Sequence, residues 1–305
     1  MKRGFTLIEL VVVLAVLAIV THLAVREMTH LREDRLGRAA DRQLESLRDA
    51  VWCARPGEEP SGFVVDMGRL PRGVAMTNGA DAVSVSLREL WERPGHLRAY
   101  AVRPATAENL VGPTNDLVDA DVRIGCGWRG PYVRMPLGAD RLTDPWGNRM
   151  ENRDDAGYDR LLNASGGAAA AGNDVWRIRH LGADGRPDAD VTSVREGRRD
   201  AEVVLLPEGG LANELSVTAT FVNTSGPAAV DGTVQFRWYA PCGDVITGAV
   251  ASVDVSGRAL AACRFTSVPP GFATLTVRVG DRLCARERVL VPPGGRDVSM
   301  KVLVP

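Results

Sequence analysis

Apolar positions along the chain fall into three regimes with different periods. Between Phe5 and Val25 the only polar residues are Thr6, Glu9, Thr21 and His22. At 1.5 Å of rise per residue this stretch predicts a helix of roughly 31 Å, about the hydrocarbon thickness of a bilayer. From Arg26 to about Cys53 charged residues enter, yet Leu36, Ala40, Leu44, Leu47 and Val51 recur at spacings of three and four and so share one face of a continuing helix. Arg55-Pro56-Gly57 is predicted to end it, because Pro removes a backbone donor and Gly permits the turn. Gly37 is the weak point of that helix. After about residue 200 the period drops to two. Leu215 to Val222, Thr233 to Tyr239, Val245 to Val255, Ala259 to Ser267, Ala273 to Val279, Leu283 to Val291 and Asp297 to Val304 read as short strands separated by Gly, Pro and Asp. That spacing predicts a β-sandwich.

The exception within the first regime carries most information. A carboxylate near the centre of a membrane helix costs on the order of 2.5 to 3.5 kcal/mol, so Glu9 needs a partner. It follows Gly4-Phe5-Thr6-Leu7-Ile8, and a short basic leader, Met1-Lys2-Arg3, precedes the whole. An ordinary secretory signal is cut after its apolar region, whereas the cut fitting this pattern lies before it, so the anchor is retained. This arrangement resembles the class III signal of type IV pilins and type II secretion pseudopilins. The resemblance implies cleavage by a prepilin peptidase after Gly4, methylation of the new N-terminal Phe5, and a role for Glu9 in filament assembly. Basic residues set Lys2 and Arg3 against Arg26, Arg32, Arg35 and Arg38, a count that places the body in the cytoplasm. The resemblance implies the opposite orientation, with the globular part in the periplasm.

Further segments resemble the major pseudopilin and occur in that family's order. Ser86-Leu-Arg-Glu-Leu-Trp-Glu-Arg-Pro94 is similar to its short helix, Trp128-Arg-Gly-Pro-Tyr132 and Asp144-Pro-Trp-Gly-Asn148 to its central signatures, and Leu181-Gly-Ala-Asp-Gly185 to the start of its calcium loop. Asp-Pro favours a turn, and Trp146 offers a large area to bury at its base, so Asp144 reads as structural. The match spans about residues 1 to 195, with insertions near 57 to 82, 95 to 127 and 149 to 173. The last contains Gly166-Gly-Ala-Ala-Ala-Ala-Gly172, which predicts a flexible loop. The kinking Pro of many pilin helices is absent from the neighbourhood of Arg26.

The family loop implies calcium, a hard cation that takes several oxygens. Asp184 matches the first family ligand and Asp190 the second, with Leu181 and Asp188 in the candidate set. Pro187 replaces a Gly-rich stretch in a shorter loop, and without the resemblance the segment reads as a solvated acidic turn. It is not an EF-hand, lacking the alternating acids and closing Glu.

Composition narrows the remaining classes. A chain of 305 residues holds two domains, and a net charge of −1 argues against nucleic acid as a main partner. Cys53, Cys126, Cys242, Cys263 and Cys284 contain no Cys-x-x-Cys pair, an export compartment permits disulfides, and their connectivity stays open. Gly125-Cys-Gly-Trp-Arg-Gly130 satisfies G-x-G-x-x-G but runs directly into Pro131, so it reads as a turn. His22, His30, His96 and His180 show no metal spacing, and no nucleophile and base stand in a catalytic pattern.

The sequence therefore predicts an α+β protein with a leader at 1–4, a transmembrane segment at 5–25, a pilin-like domain at 26–200 whose long helix packs on a small antiparallel sheet, and a β-sandwich at 201–305 loosely similar to immunoglobulin-like or carboxypeptidase-regulatory-like modules. The expected function is non-enzymatic: a minor or specialised subunit of a type II secretion pseudopilus or related filament in the bacterial inner membrane. Its implied partners are other pilin subunits, the prepilin peptidase, the assembly platform and membrane lipid. A different class, a surface adhesion or ligand-binding protein displayed on a pilin anchor, is the alternative.

Overall fold

The computed structural model describes residues 7–78, 82–111, 117–153, 159–182, 185, 200–207 and 210–304, and leaves out the side chain of Glu9. Helix α1, Leu7–Val51, runs 45 residues without interruption, so Gly37 does not break it. Its two halves differ as the apolar pattern dictates. Large side chains from Leu7 to Leu31 are exposed, while Ala40, Leu44, Leu47 and Val51 are buried. Among the described residues α1 is the one helix long and apolar enough to cross a membrane.

The helix ends earlier than Pro56. Trp52 N–H makes the last helical bond to the Arg48 carbonyl at 2.8 Å, after which Cys53 pairs with Ser61. Gly62 closes this corner: at φ 120 it adopts a conformation open to glycine, and a Cβ there would stand 2.7 Å from the Val51 oxygen. The helix thus ends within two residues of the expected boundary near Cys53, and Pro56 lies beyond it.

The buried half of α1 packs with the short helix α2, Phe63–Met67, and with Leu70, Leu87, Leu90, Leu161, Ile178, Leu205 and Leu206. Around this core lie small antiparallel sheets. Strands β1 (Val74–Asn78), β2 (Ala82–Ser86) and β5 (Asn152–Arg153) form one, and β6 (Leu161–Leu162), β7 (Arg177–His180) and β8 (Ala201–Val204) form another. Between them in sequence, β3 (Ala101–Ala105) and β4 (Asp119–Cys126) make a separate hairpin.

The Gly166–Gly172 stretch is a loop, as expected, and it is hydrogen-bonded at both ends. Asn163 Oδ1 accepts from the N–H groups of Ser165 and Gly167, Ala169 N–H donates to Leu161 O at 2.9 Å, and Gly172 N–H donates to Gly73 O at 2.8 Å. Small residues are needed because two backbones meet here: a Cβ on Gly73 would lie 2.8 Å from the Ala170 oxygen.

The C-terminal part is a sandwich. Strands β11 (Val230–Cys242), β12 (Val245–Arg258), β14 (Gly271–Val279) and β15 (Arg282–Val291) form one sheet in the order β12-β11-β14-β15. In the other, β9 (Asn213–Asn223) pairs with β13 (Leu260–Val268), with the two-residue β10 (Gly226–Pro227), and in parallel with β16 (Arg296–Leu303). All the predicted strands are present. Alternation puts Leu215, Val217, Ala219 and Phe221 of β9 against Phe236 and Trp238 of β11 and Leu275 and Val277 of β14 in one closed core.

The two parts are joined by backbone as well as side chains. Gly243 N–H donates to Met67 O at 2.6 Å, Gly127 N–H to Gly243 O at 3.0 Å, Ile246 N–H to Asn109 O at 2.6 Å and Val111 N–H to Ile246 O at 2.8 Å. Val122, Ile124 and Cys126 of β4 bury Tyr239 and Ile246 on the outer face of the sandwich sheet. Gly68 is left-handed at φ 63, and a Cβ there would sit 1.8 Å from Pro241 O, so only glycine lets α2 approach this closely.

Candidate functional site

The family-like segments, scattered through the sequence, come together in two groups. In the first, Arg88–Leu90 forms a 3-10 turn whose Glu89 is almost wholly buried. Its carboxylate accepts two bonds from Arg69, at 2.9 and 3.0 Å, and one from Arg72 N–H at 2.8 Å. The backbone of the same turn receives the second segment: Trp128 Nε1–H donates to Glu89 O at 2.6 Å and Tyr132 N–H to Leu90 O at 2.8 Å. Tyr132 reaches back to α2, its hydroxyl donating to Asp66 Oδ2 at 3.0 Å. Burial raises the Asp66 pKa, against the opposing pull of Tyr132 and Arg129.

The second group is built on Asp144. Its Oδ1 accepts the N–H groups of Trp146 and Asn148 at 3.1 and 2.8 Å, so the carboxylate closes the Asp-Pro-Trp-Gly-Asn turn as the sequence predicts. Oδ2 takes the Asn148 side chain at 3.1 Å and Arg160 Nη1 at 3.3 Å. Asn148 also donates to Gly182 O at 3.4 Å, tying this turn to the start of the acidic loop. His180 packs against Trp146 with ring centroids 5.3 Å apart, and its Nε2 lies 3.6 Å from Asp41 Oδ1 on α1. Burial lowers the His180 pKa, outweighing Asp41, Asp144 and Asp200, which favour the charged form.

Of the predicted calcium ligands, Leu181 is fully buried, and Gly182 and Gly185 beside it are left-handed at φ 56 and 67. Asp184, Asp188 and Asp190 lie outside the described residues. Among the described residues no three His, Cys, Asp or Glu side chains are grouped to hold a metal ion. Arg160 and Glu89, the buried ionic centres of the two groups, were not singled out by the sequence. Glu89 lies within the family-like Ser86–Pro94 segment and Arg160 within the insertion near 149 to 173, but each gains its role from partners 20 and 16 residues away, which the local pattern does not show.

A cleft of about 510 Å³ separates the two parts, bounded by Asp66, Tyr100, Arg123, Arg129, Phe272 and Arg288. Arg129 lies over the Tyr100 ring at 5.1 Å, and Arg288 over Phe272 at 3.6 Å. Its polar walls satisfy one another through Arg288 with Glu59 and Arg129 with Asp66.

Gly4 and Phe5, the predicted processing residues, lie outside the described residues. Glu9 lies on α1, two residues from its start, and its side chain is likewise outside them. Residues 1–25 match the family described as the prokaryotic N-terminal methylation motif. The chain begins as a type IV pilin-like prepilin does. The matched segment ends inside the exposed apolar half of α1, so motif and membrane-length helix are one continuous feature. No curated protein and no solved structure matches the chain.

Proposed function

We propose that this protein is a structural subunit of a type II secretion pseudopilus or a related type IV filament, in a minor or specialised position. One observation carries the reading: a methylation motif opens a single helix whose first half is apolar and exposed and whose second half is the spine of a globular body. A body fixed to its anchor in this way is suited to being carried into an assembly. The prepilin peptidase would cut between Gly4 and Phe5, Phe5 would be methylated, and the body would stand in the periplasm. The added sandwich must be accommodated wherever the subunit sits, which favours a tip or minor position over the bulk of a filament.

Glu9 is the assembly determinant in this account. In lipid its charge is unmet, whereas a neighbour's Phe5 amino terminus offers it a partner, so the assembled state gains differentially. Glu9→Ala should leave membrane insertion and folding intact while lowering the fraction that co-purifies with sheared filaments. Incorporation equal to the wild type would remove Glu9 from the mechanism.

Calcium belongs to the same proposal. What supports it is that Gly182 and Gly185 are left-handed and that the Asn148 side chain donates to the Gly182 carbonyl. Binding to the folded state alone raises thermal stability by mass action. The melting temperature should rise with calcium over chelator and lose that rise in Asp184→Ala or Asp190→Ala; equal melting with calcium and chelator would sink the site.

A further inference from the structure

The outer face of the sandwich sheet holds a polar cluster that the filament reading does not use. Opposite β11, Thr276 pairs with Arg237, Arg278 with Gln235 and Thr274 with Tyr239, so Arg237, Tyr239, Thr276 and Arg278 share one face. The β3–β4 hairpin covers it. Tyr239 and Thr276 are both 0% exposed. Among the described residues Arg237 Nε, Thr276 Oγ1 and Arg278 Nε find no hydrogen-bond partner, and Tyr239 OH, which makes no well-aligned bond, has the Arg237 side chain beside it.

Such atoms side by side are unusual, because a buried polar group without a partner costs free energy and native interiors hold few of them. What they share decides what would satisfy them. Each can donate: two are guanidinium N–H groups and two are hydroxyls. Charge points the same way. Arg237 otherwise donates to Gln235 Oε1 at 2.7 Å, a neutral acceptor. Arg278 donates to Asp119 Oδ2 at 2.6 Å and to Asp281 O at 2.9 Å. Asp119 thus faces Arg278 with one oxygen, and its other accepts the Asp121 N–H at 3.2 Å, while the described partner of Arg237 is neutral. Burial raises the Tyr239 pKa, which keeps the phenol protonated and able to donate.

We infer that Arg237, Tyr239, Thr276 and Arg278 form a binding site for a small oxyanion, phosphate, sulfate or a carboxylate, held between the sandwich and the β3–β4 hairpin. An acceptor-only ion carries the charge that the second arginine lacks and takes the four donors together. The burial of these atoms excludes a polymer. Bound there, the ion strengthens the attachment of the hairpin to the sandwich, so its effect appears as stability of the whole body.

The test uses the full chain in nonionic detergent, melted by tryptophan fluorescence in low phosphate, sulfate or acetate against chloride at matched ionic strength. A saturable rise in melting temperature with an oxyanion and not with chloride is expected. Phosphate or sulfate acting best assigns a tetrahedral ion, and acetate acting best a carboxylate. Stabilisation by ion exclusion from the surface is also possible for sulfate and phosphate, but it does not saturate and is the same in all variants. Arg237→Gln should raise the half-saturating concentration roughly tenfold, the loss expected for one charged hydrogen bond. Thr276→Val, which removes one hydroxyl at constant shape, should raise it less and carries the test alone if Arg237→Gln does not fold. Equal responses to chloride and to all three oxyanions, or an unchanged half-saturation in Thr276→Val and any folded Arg237→Gln, would overturn the site and leave water as the cluster's partner.

Discussion

His180 shows how one side chain can link elements that the sequence keeps far apart. Its ring sits on Trp146 from the Asp-Pro-Trp-Gly-Asn turn, faces Asp41 of α1, and immediately precedes the acidic loop. Burial depresses its pKa below the ordinary 6.5, although Asp41, Asp144 and Asp200 all favour protonation. The unfolded chain therefore takes up a proton first as pH falls. Its contribution to stability is full above about pH 6.5 and is lost as pH drops through the lower, folded value. Melting between pH 7.5 and pH 5 should show a steeper loss in the wild type than in His180→Phe, which keeps the packing on Trp146. Parallel curves would mean that this histidine does not titrate on unfolding. None of this was legible in the sequence, where His180 stood only as a histidine lacking metal spacing. Asp144 was legible, because the turn it closes lies within five consecutive residues, whereas its charge partner Arg160 was not.

At the scale of elements, α1 and the sandwich strands were readable because each announces its own period. The spacing of Leu36, Ala40, Leu44, Leu47 and Val51 named the inward face, on which Leu36 is half-buried and the other four buried, and alternation in β9 and β11 named the core side of each strand. Contacts between distant segments were less visible. Gly62 packs against the end of the helix at Val51, and the β3–β4 hairpin was not picked out because Pro104 stands inside it, the alternation of Val122, Ile124 and Cys126 is short, and the Tyr239 and Ile246 on which those residues pack are far away in sequence. The halves of α1 should respond differently to truncation. Leu47→Ala, in the core, should cost about 2 to 5 kcal/mol by denaturant unfolding in detergent. Leu17→Ala, 55% exposed in the apolar half, should change the stability of the body by no more than about 0.5 kcal/mol. Equal effects would contradict the division of the helix into an anchor and a spine.

For the molecule as a whole, the sandwich is fastened to the helix-bearing part by backbone bonds through Met67, Asn109, Gly127 and Ile246 rather than hung from it by a tether. The sandwich core itself is complete within residues Leu215 to Val302, so the joint adds to a fold that already closes. If the N-terminus is a prepilin signal, it is cut and methylated before the helix enters an assembly. N-terminal peptide mass analysis of membrane-extracted protein, from cells with and without prepilin peptidase, tests it most directly. The expected product begins at Phe5, carries one added methyl group, and disappears in favour of a chain retaining Met1 to Gly4 when the peptidase is absent. A chain still beginning ahead of Gly4 in cells that have the peptidase, or one beginning after Val20, would contradict the account.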